Sequence, residues 1–391
     1  MNKDAFISSG KVSTAAFVDS LIDSAVPLAV WRMPNKKEVN ILLSRKASSE
    51  LKEVNIEESE PGFTIAPFDS VDGMGYFLPA EYHIKVENAK IEEIPFELEE
   101  IGLTINEHAQ SPNFSLDQPI PNSILEGEYE EKVGKAIRAI EEGYFDKVVL
   151  SRTAKIELDE KFKIYAYFQK LCKAYPHAFV SITYLPWLDQ VWIGATPEIL
   201  VSQNSAGIFK TMALAGTQGA KDSNGNEIPT KEALWSQKEI EEQAFVSRFI
   251  INCLKKLRVR EFEEVGPRTI NAGNLLHLNT SFEIDTKAIN FPQFGTVMIK
   301  LLHPTSAVCG YPKEAAAAFI KENENYDREF YSGFLGPVNI EGNSDIFVNL
   351  RSMKLQDNTL HVYAGGGITA DSKAAKEWQE TAIKMRTILL Q

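Results

Sequence analysis

The clearest pattern lies near the C-terminus. Val362-Tyr-Ala-Gly-Gly-Gly-Ile-Thr reads as a strand-like run closed by three glycines at 365–367. Asp371 or Ser372 then offers an N-cap, and Ala374 to Leu390 carries apolar residues at helical spacing. Trp378, Met385, Ile388 and Leu389 fall on faces that can pack. Glu377 and Glu380, three apart, share another face with Lys384, four further on.

Upstream, the pattern predicts a short helix over Val12 to Leu21 and strands over Pro27 to Arg32 and Val39 to Leu43. Gly62 to Pro67 and Gly75 to Leu78 are strand-like. Residues 85–107 are rich in Glu and read as exposed, and the prolines of 111–122 mark a linker or boundary. Glu128 to Glu142 reads as a helix stopped by Gly143. Asp146 to Arg152 is a strand and Lys161 to Ala174 a helix. Ala178 to Tyr184 and Gln190 to Gly194 form a hairpin with Pro186 in its loop. Ile208 to Ala215 is a strand leading into Gly216-Thr217, and Gly219 to Pro229 a polar loop. A long helix follows, Thr230 to Leu257, with Val246, Phe249, Ile250, Cys253, Leu254 and Leu257 as its apolar stripe. Leu275 to Thr280 and Phe334 to Ile340 are strands. Asp345 to Leu355 reads as one strand pairing with Thr359 to Tyr363 across Gln356-Asp-Asn. Helices and strands alternate without a strict βαβ repeat. The expectation is a mixed α/β (α+β) fold forming one structural unit, with residues 1–125 completing the sheet and 126–391 carrying the chemistry.

Composition narrows the function. With 391 residues, 44% hydrophobic and 10% aromatic, the chain can build a substantial core. A net charge of −13 argues against nucleic acid as a partner. Cys172, Cys253 and Cys309 are far apart and show no CxxC spacing, which reads as reduced thiols in a cytoplasmic protein. No apolar run is long enough for a membrane span, and the N-terminus lacks a signal-peptide core.

Two helices each carry a Glu pair at i, i+3: Glu239 with Glu242, and Glu377 with Glu380. If they face one another, the converging carboxylates need a cation, and a hard ion such as Mg²⁺ suits oxygen ligands. Two unrelated solvated faces explain the same pattern. Lys147 starts an apolar strand, where a lysine is either an edge residue with its head in water or a desolvated base. Glu198, in Gly194-Ala-Thr-Pro-Glu, is either a loop carboxylate or a general acid. His277 and His303 read as core histidines. Arg351 interrupts an apolar run and calls for an anion. The glycine turn at 365–367 lacks the Lys-Ser/Thr of a phosphate loop.

Taken in order, Lys147-Val-Val-Leu-Ser-Arg, Gly194-Ala-Thr-Pro-Glu, Leu214-Ala-Gly-Thr, Leu301-Leu-His-Pro-Thr, Tyr326-Asp-Arg-Glu-Phe-Tyr-Ser-Gly, Ala364-Gly-Gly-Gly-Ile and Glu377-Trp-Gln-Glu-Thr resemble the chorismate-utilising enzymes. The resemblance covers about 126–391 and is loose before that. It implies large sheets flanked by helices in a single domain. It implies Mg²⁺ held by Glu242 and Glu380 with Glu239 and Glu377 in support, gripping the ring carboxylate of chorismate. Arg351, Lys384 and the backbone at Gly365 would take the enolpyruvyl carboxylate, and Gly216, Thr217 and His277 would line the ring. Lysine at 147 with alanine at 215 resembles the water-using members, in which Lys147 activates water and Glu198 protonates the departing hydroxyl. That chemistry yields isochorismate, for menaquinone or siderophore synthesis. The alternatives are a salicylate synthase, which also eliminates pyruvate, and a catalytically silent chorismate-binding relative. With water as nucleophile no glutaminase subunit is expected, and the chain is expected to be a monomer. One departure stands out: Gln243 replaces the histidine usual after the first metal glutamate, and metal binding is expected to survive it.

Overall fold

The computed structural model of the chain describes residues 12–87, 90–91, 125–158, 161–222, 225–272 and 275–391. The Glu-rich and proline-rich expectations for 85–107 and 111–122 fall largely or wholly outside those residues.

Among the described residues two nine-stranded sheets dominate, and every pairing in them is antiparallel. In the first, Gly310–Tyr311 pairs with Lys147–Glu157, which pairs with Thr359–Ile368; then come Ser352–Gln356, Gln190–Thr196, Phe179–Leu185, Leu28–Arg32, Val39–Leu43 and Tyr82–Val86. The second runs from Glu263–Ala272 through Leu275–Asp285, Ile208–Gly219, Ile199–Gln203, Ser344–Val348, Phe334–Val338, Gly62–Ala66 and Met74–Pro79 to Lys52–Glu53. Strands from before residue 125 thus extend the far side of both sheets.

Side-chain alternation explains how the sheets stack. Along Leu28–Arg32, Ala29 and Trp31 face the second sheet, where they join Phe63, Ile65, Leu335 and Phe347 in a shared core. Trp31 meets Phe63 at 5.4 Å between ring centroids, and Phe179 stacks on Phe347 at 4.1 Å. Leu28 and Val30 face outward, into a core made with the helices Thr14–Asp23, Ile164–Ala174 and Ala374–Leu389. The outer face of the second sheet is covered by Gln237–Lys256 and Phe294–Leu302. The order of layers is helix, sheet, sheet, helix. Among the described residues no helix is long and apolar enough to cross a membrane.

Several expectations shift. The long helix starts at Gln237, not Thr230, because Ser236 and Glu239 close a capping box there. The last helix has Lys373, not Asp371 or Ser372, at its N-cap position. The three glycines do not form a turn. They sit inside the strand Thr359–Ile368, in register with Ser151, Leu150 and Val149. The run from Asp345 to Leu355 is not one strand: Ser344–Val348 belongs to the second sheet and Ser352–Gln356 to the first. Hydrophobicity cannot reveal that break, because both strands are buried on both faces. The strand Glu263–Ala272 and the helices Phe294–Leu302 and Lys313–Asn323 add to the elements read from the pattern.

Candidate active site

Two of the chain's crossings between the sheets lie side by side. Pro197-Glu198 links Gln190–Thr196 to Ile199–Gln203, and residues 349–351 link Ser344–Val348 back to Ser352–Gln356. The crossings are tied together: Ala195 N–H donates to Arg351 O at 3.1 Å and Val348 N–H to Glu198 O at 3.0 Å. Arg351 takes a positive φ of 47°, a conformation non-glycine residues seldom adopt and one that occurs at functional sites. A cavity opens here between the two crossings. Glu198, Gly216, Thr217, Glu242, His277, Arg351, Gly365 and Lys384 all line it, together with Ala215, Val308, Tyr331 and Ser332.

Each wall has a local origin. A bulge interrupts the pairing of Ile208–Gly219 with Leu275–Asp285 between Ala215 and Gln218, and Gly216 supplies its positive φ of 68°. The bulge presents the Gly216 carbonyl to Nδ1 of His277 at 2.8 Å. A carbonyl only accepts, so Nδ1 carries the proton and Nε2 is the acceptor. Nε2 is buried without a protein hydrogen-bond partner. Burial, with Arg351 nearby, lowers the His277 pKa to about 3, so the ring is neutral at physiological pH. His303 behaves as the core residue expected, its Nε2 3.0 Å from the Pro67 carbonyl.

Lys147 is not an edge lysine with its head in water. It is fully buried, in a strand paired on both sides, and its Nζ lies 3.3 Å from Glu242 Oε1 without hydrogen-bond geometry. Glu198 is 3% exposed. Burial raises its pKa to about 8, against the opposing pull of Lys147, Arg351 and the Thr305 hydroxyl. The carboxyl is therefore largely protonated at neutral pH. Arg351 Nη1 is buried with no protein partner. Lys147 does not line the cavity itself; its amine is buried 3.3 Å from Glu242, which does. The cavity collects a protonated acid and unpartnered polar atoms beside that amine, which suits an anionic ligand and acid–base chemistry.

The carboxylate wall stands beside it. A Cβ on Gly367 would overlap Glu242 Oε1 and come within 3.0 Å of Lys147 Cε. A Cβ on Gly366 would lie 3.2 Å from Glu377 Oε2 and 4.0 Å from Glu380 Oε1. The bare backbone of these two glycines therefore makes room for the protein's own carboxylates. Glu377 is 1% exposed, and its Oε2 has no partner. Burial raises the Glu377 pKa and neighbouring Glu380 adds to this, with Lys238 opposing. Burial also acts to raise Glu380, but Lys384 and Lys238 outweigh it and hold that carboxyl low. Lys384 Nζ lies 2.5 Å from Glu380 Oε1 and donates to the Gly365 carbonyl at 2.8 Å. Among the described residues no three carboxylates converge into a ready metal centre, and Lys238 and Lys384 pair with two of them; the orphaned, buried oxygen of Glu377 is the feature that would suit a divalent cation of the Mg²⁺ type.

Glu239 stands apart from the other three glutamates. Its Oε2 accepts from the backbone N–H and the hydroxyl of Ser236, so its carboxylate caps its own helix. Gln243 also faces away from the wall, donating to the Ala213 carbonyl at 3.1 Å and the Thr280 hydroxyl at 3.0 Å. It fastens the helix to the sheet. Three contributors went unread in the sequence. Thr305 sits beside Glu198. Lys238 faces Glu377. The Glu324–Arg328 pair holds the strand of Lys147 to the loop of Val308: Arg328 Nη2 donates to Val149 O at 2.7 Å and Nη1 to Val308 O at 2.9 Å. Lys238 gave no signal with the helix read from Thr230; only the observed start at Gln237 puts this lysine in the first turn, where it opposes the macrodipole.

Comparison with known proteins identifies the family. Residues 73–391 match the chorismate binding enzyme family, reaching back into the region where the sequence resemblance was loose. The isochorismate synthase EntC of Escherichia coli K12 is 32% identical over 286 residues, 72% of this chain and 70% of that protein. The isochorismate synthase DhbC of Bacillus subtilis is 26% identical over 280 residues, 70% of this chain and 68% of that protein. Among solved structures, MenF, the menaquinone-specific isochorismate synthase of Escherichia coli, superposes with a TM-score of 0.77 at 21% identity, covering 99% of this chain and 92% of that one. With the family matched over most of its length, the chain belongs to the chorismate-binding enzymes.

Proposed function

We propose that the protein is an isochorismate synthase, converting chorismate to isochorismate with Mg²⁺. The observation that carries this reading is Lys147, an amine buried completely with no hydrogen-bond partner and set against a carboxylate. Such burial is costly unless a function retains it.

In this reading Lys147 takes a proton from a water as that water forms a bond to the chorismate ring. Glu198, protonated at neutral pH, gives its proton to the ring hydroxyl that leaves as water. One C–O bond forms, another breaks, the ring double bonds shift, and one water is consumed for each released. Arg351 and Lys384 would pair with the enolpyruvyl carboxylate beside Gly365, while Gly216, Thr217 and His277 flank the ring. Glu242 and Glu380, with Glu377, would hold Mg²⁺. Glu239 is retained only as a more distant support, since its carboxylate is already committed to the helix cap. The bound ion would neutralise the ring carboxylate of the substrate. We read the chain as a cytoplasmic monomer supplying menaquinone or siderophore synthesis, with menaquinone favoured. That pathway assignment rests on the Ala307-Val-Cys-Gly-Tyr-Pro segment and is tested by the neighbouring genes.

Incubation of the purified protein with chorismate and Mg²⁺, followed by chromatography, tests the activity. Isochorismate is expected to accumulate to equilibrium with chorismate. Pyruvate released in step with chorismate loss would make the protein a salicylate synthase. Chorismate binding without conversion would make it a silent relative.

A further inference from the structure

Lys238 is the second residue of the helix Gln237–Lys256, at the positive end of the helix dipole, where an ammonium is disfavoured. Its side chain crosses to the C-terminal helix. Nζ lies 2.7 Å from Glu377 Oε1 and 4.0 Å from Glu380 Oε2. The second oxygen of Glu377, on a side chain 1% exposed, has no partner and faces Gly366. One ammonium therefore stands against two of the carboxylates assigned above to Mg²⁺, and one buried oxygen among them is left over. Lys384 already holds the other end of Glu380, with 2.5 Å between Nζ and Oε1.

We propose that Lys238 is a displaceable counter-cation of the metal wall. In the free enzyme its ammonium keeps Glu377 and Glu380 from repelling each other. A divalent ion entering the wall must displace that ammonium or share its ligands, so Lys238 weakens metal binding to the free enzyme. The substrate's ring carboxylate adds negative charge at the same place, and this shifts the balance toward the metal. Metal and chorismate then bind with positive coupling, and the free enzyme does not retain the ion tightly. This proposal rests on the metal reading of the preceding section.

Calorimetric titration of Mg²⁺ alone into the full chain, without chorismate, tests it. Lys238→Met keeps the length and removes the charge. It is expected to bind Mg²⁺ at least tenfold more tightly than the parent, and to unfold at a lower temperature in chelator. Lys238→Arg keeps the charge and is expected to stay near the parent's affinity. If Lys238→Met does not fold, Lys238→Gln makes the same comparison. Equal or weaker Mg²⁺ binding by the uncharged variant overturns the proposal and makes Lys238 a brace for Glu377. If the parent binds no Mg²⁺ even with chorismate present, the metal reading itself fails and takes this proposal with it.

Discussion

Lys147 Nζ lies 3.3 Å from Glu242 Oε1, a contact between a strand of one sheet and a helix packed on the other. The candidate base and a candidate metal ligand are thereby held together from opposite layers, and Gly367 runs beneath both. Base position and metal position are therefore mechanically linked, and either can be disturbed through the other.

Lys147→Ala removes the amine. Chorismate conversion is expected to fall by about 10²–10⁴-fold, the usual worth of a positioned general base. The melting temperature is expected to hold or rise, because an amine lacking a hydrogen-bond partner leaves the interior. Steady-state rates beside a thermal melt check this, and a rate near the parent's would remove Lys147 from the mechanism.

Glu198 and His277 give stability opposite pH slopes. The Glu198 pKa rises from 4.5 to about 8 on folding, so its contribution is complete below about 4.5 and is lost as pH climbs through 8. The His277 pKa falls from 6.5 to about 3, so its contribution is present above 6.5 and is lost as pH drops through 3. Glu198→Gln is expected to flatten the alkaline loss and to lower turnover by about 10²–10⁴-fold. In the parent, turnover is expected to decline above about pH 8, where the acid loses its proton. Denaturant melts at pH 5, 7 and 9 and a pH–rate profile read these out. An alkaline stability slope identical in Glu198→Gln would show that the group does not titrate there.

Gly367→Ala sets a methyl group onto the Glu242 carboxylate and against Lys147, whereas Gly366→Ala meets Glu377 Oε2 at 3.2 Å. The first is expected to raise the Mg²⁺ concentration needed for half-maximal activity by at least tenfold and to lower turnover. The second should act more mildly, since Glu377 can give by a few tenths of an ångström. Equal Mg²⁺ requirements in Gly367→Ala and the parent would mean that Glu242 does not hold the ion.

Much of this was legible before any coordinates. Period-2 and period-3.6 patterns marked the strands of Leu28, Val39, Lys147 and Phe179 and the helices carrying the glutamate pairs, because those patterns record which side of an element meets the core. The candidate residues could be named because several short segments occur in one order. Spacing on a helix places residues on a face but does not say what the face meets, so Glu239 and Glu242 read alike. Only packing separates them, sending Glu242 to Lys147 and leaving Glu239 on Ser236.

The sequence by itself determined most of the elements, the order of the motifs and the family. The tertiary structure decided that residues 349–351 carry the chain from one sheet to the other, that Gly366 and Gly367 lie under carboxylates within a strand, and that Lys238 reaches Glu377. The physical reason is common to all three. Periodicity encodes burial, whereas charge pairing, desolvation and close backbone approach depend on contacts between segments far apart in the chain, which no local pattern records.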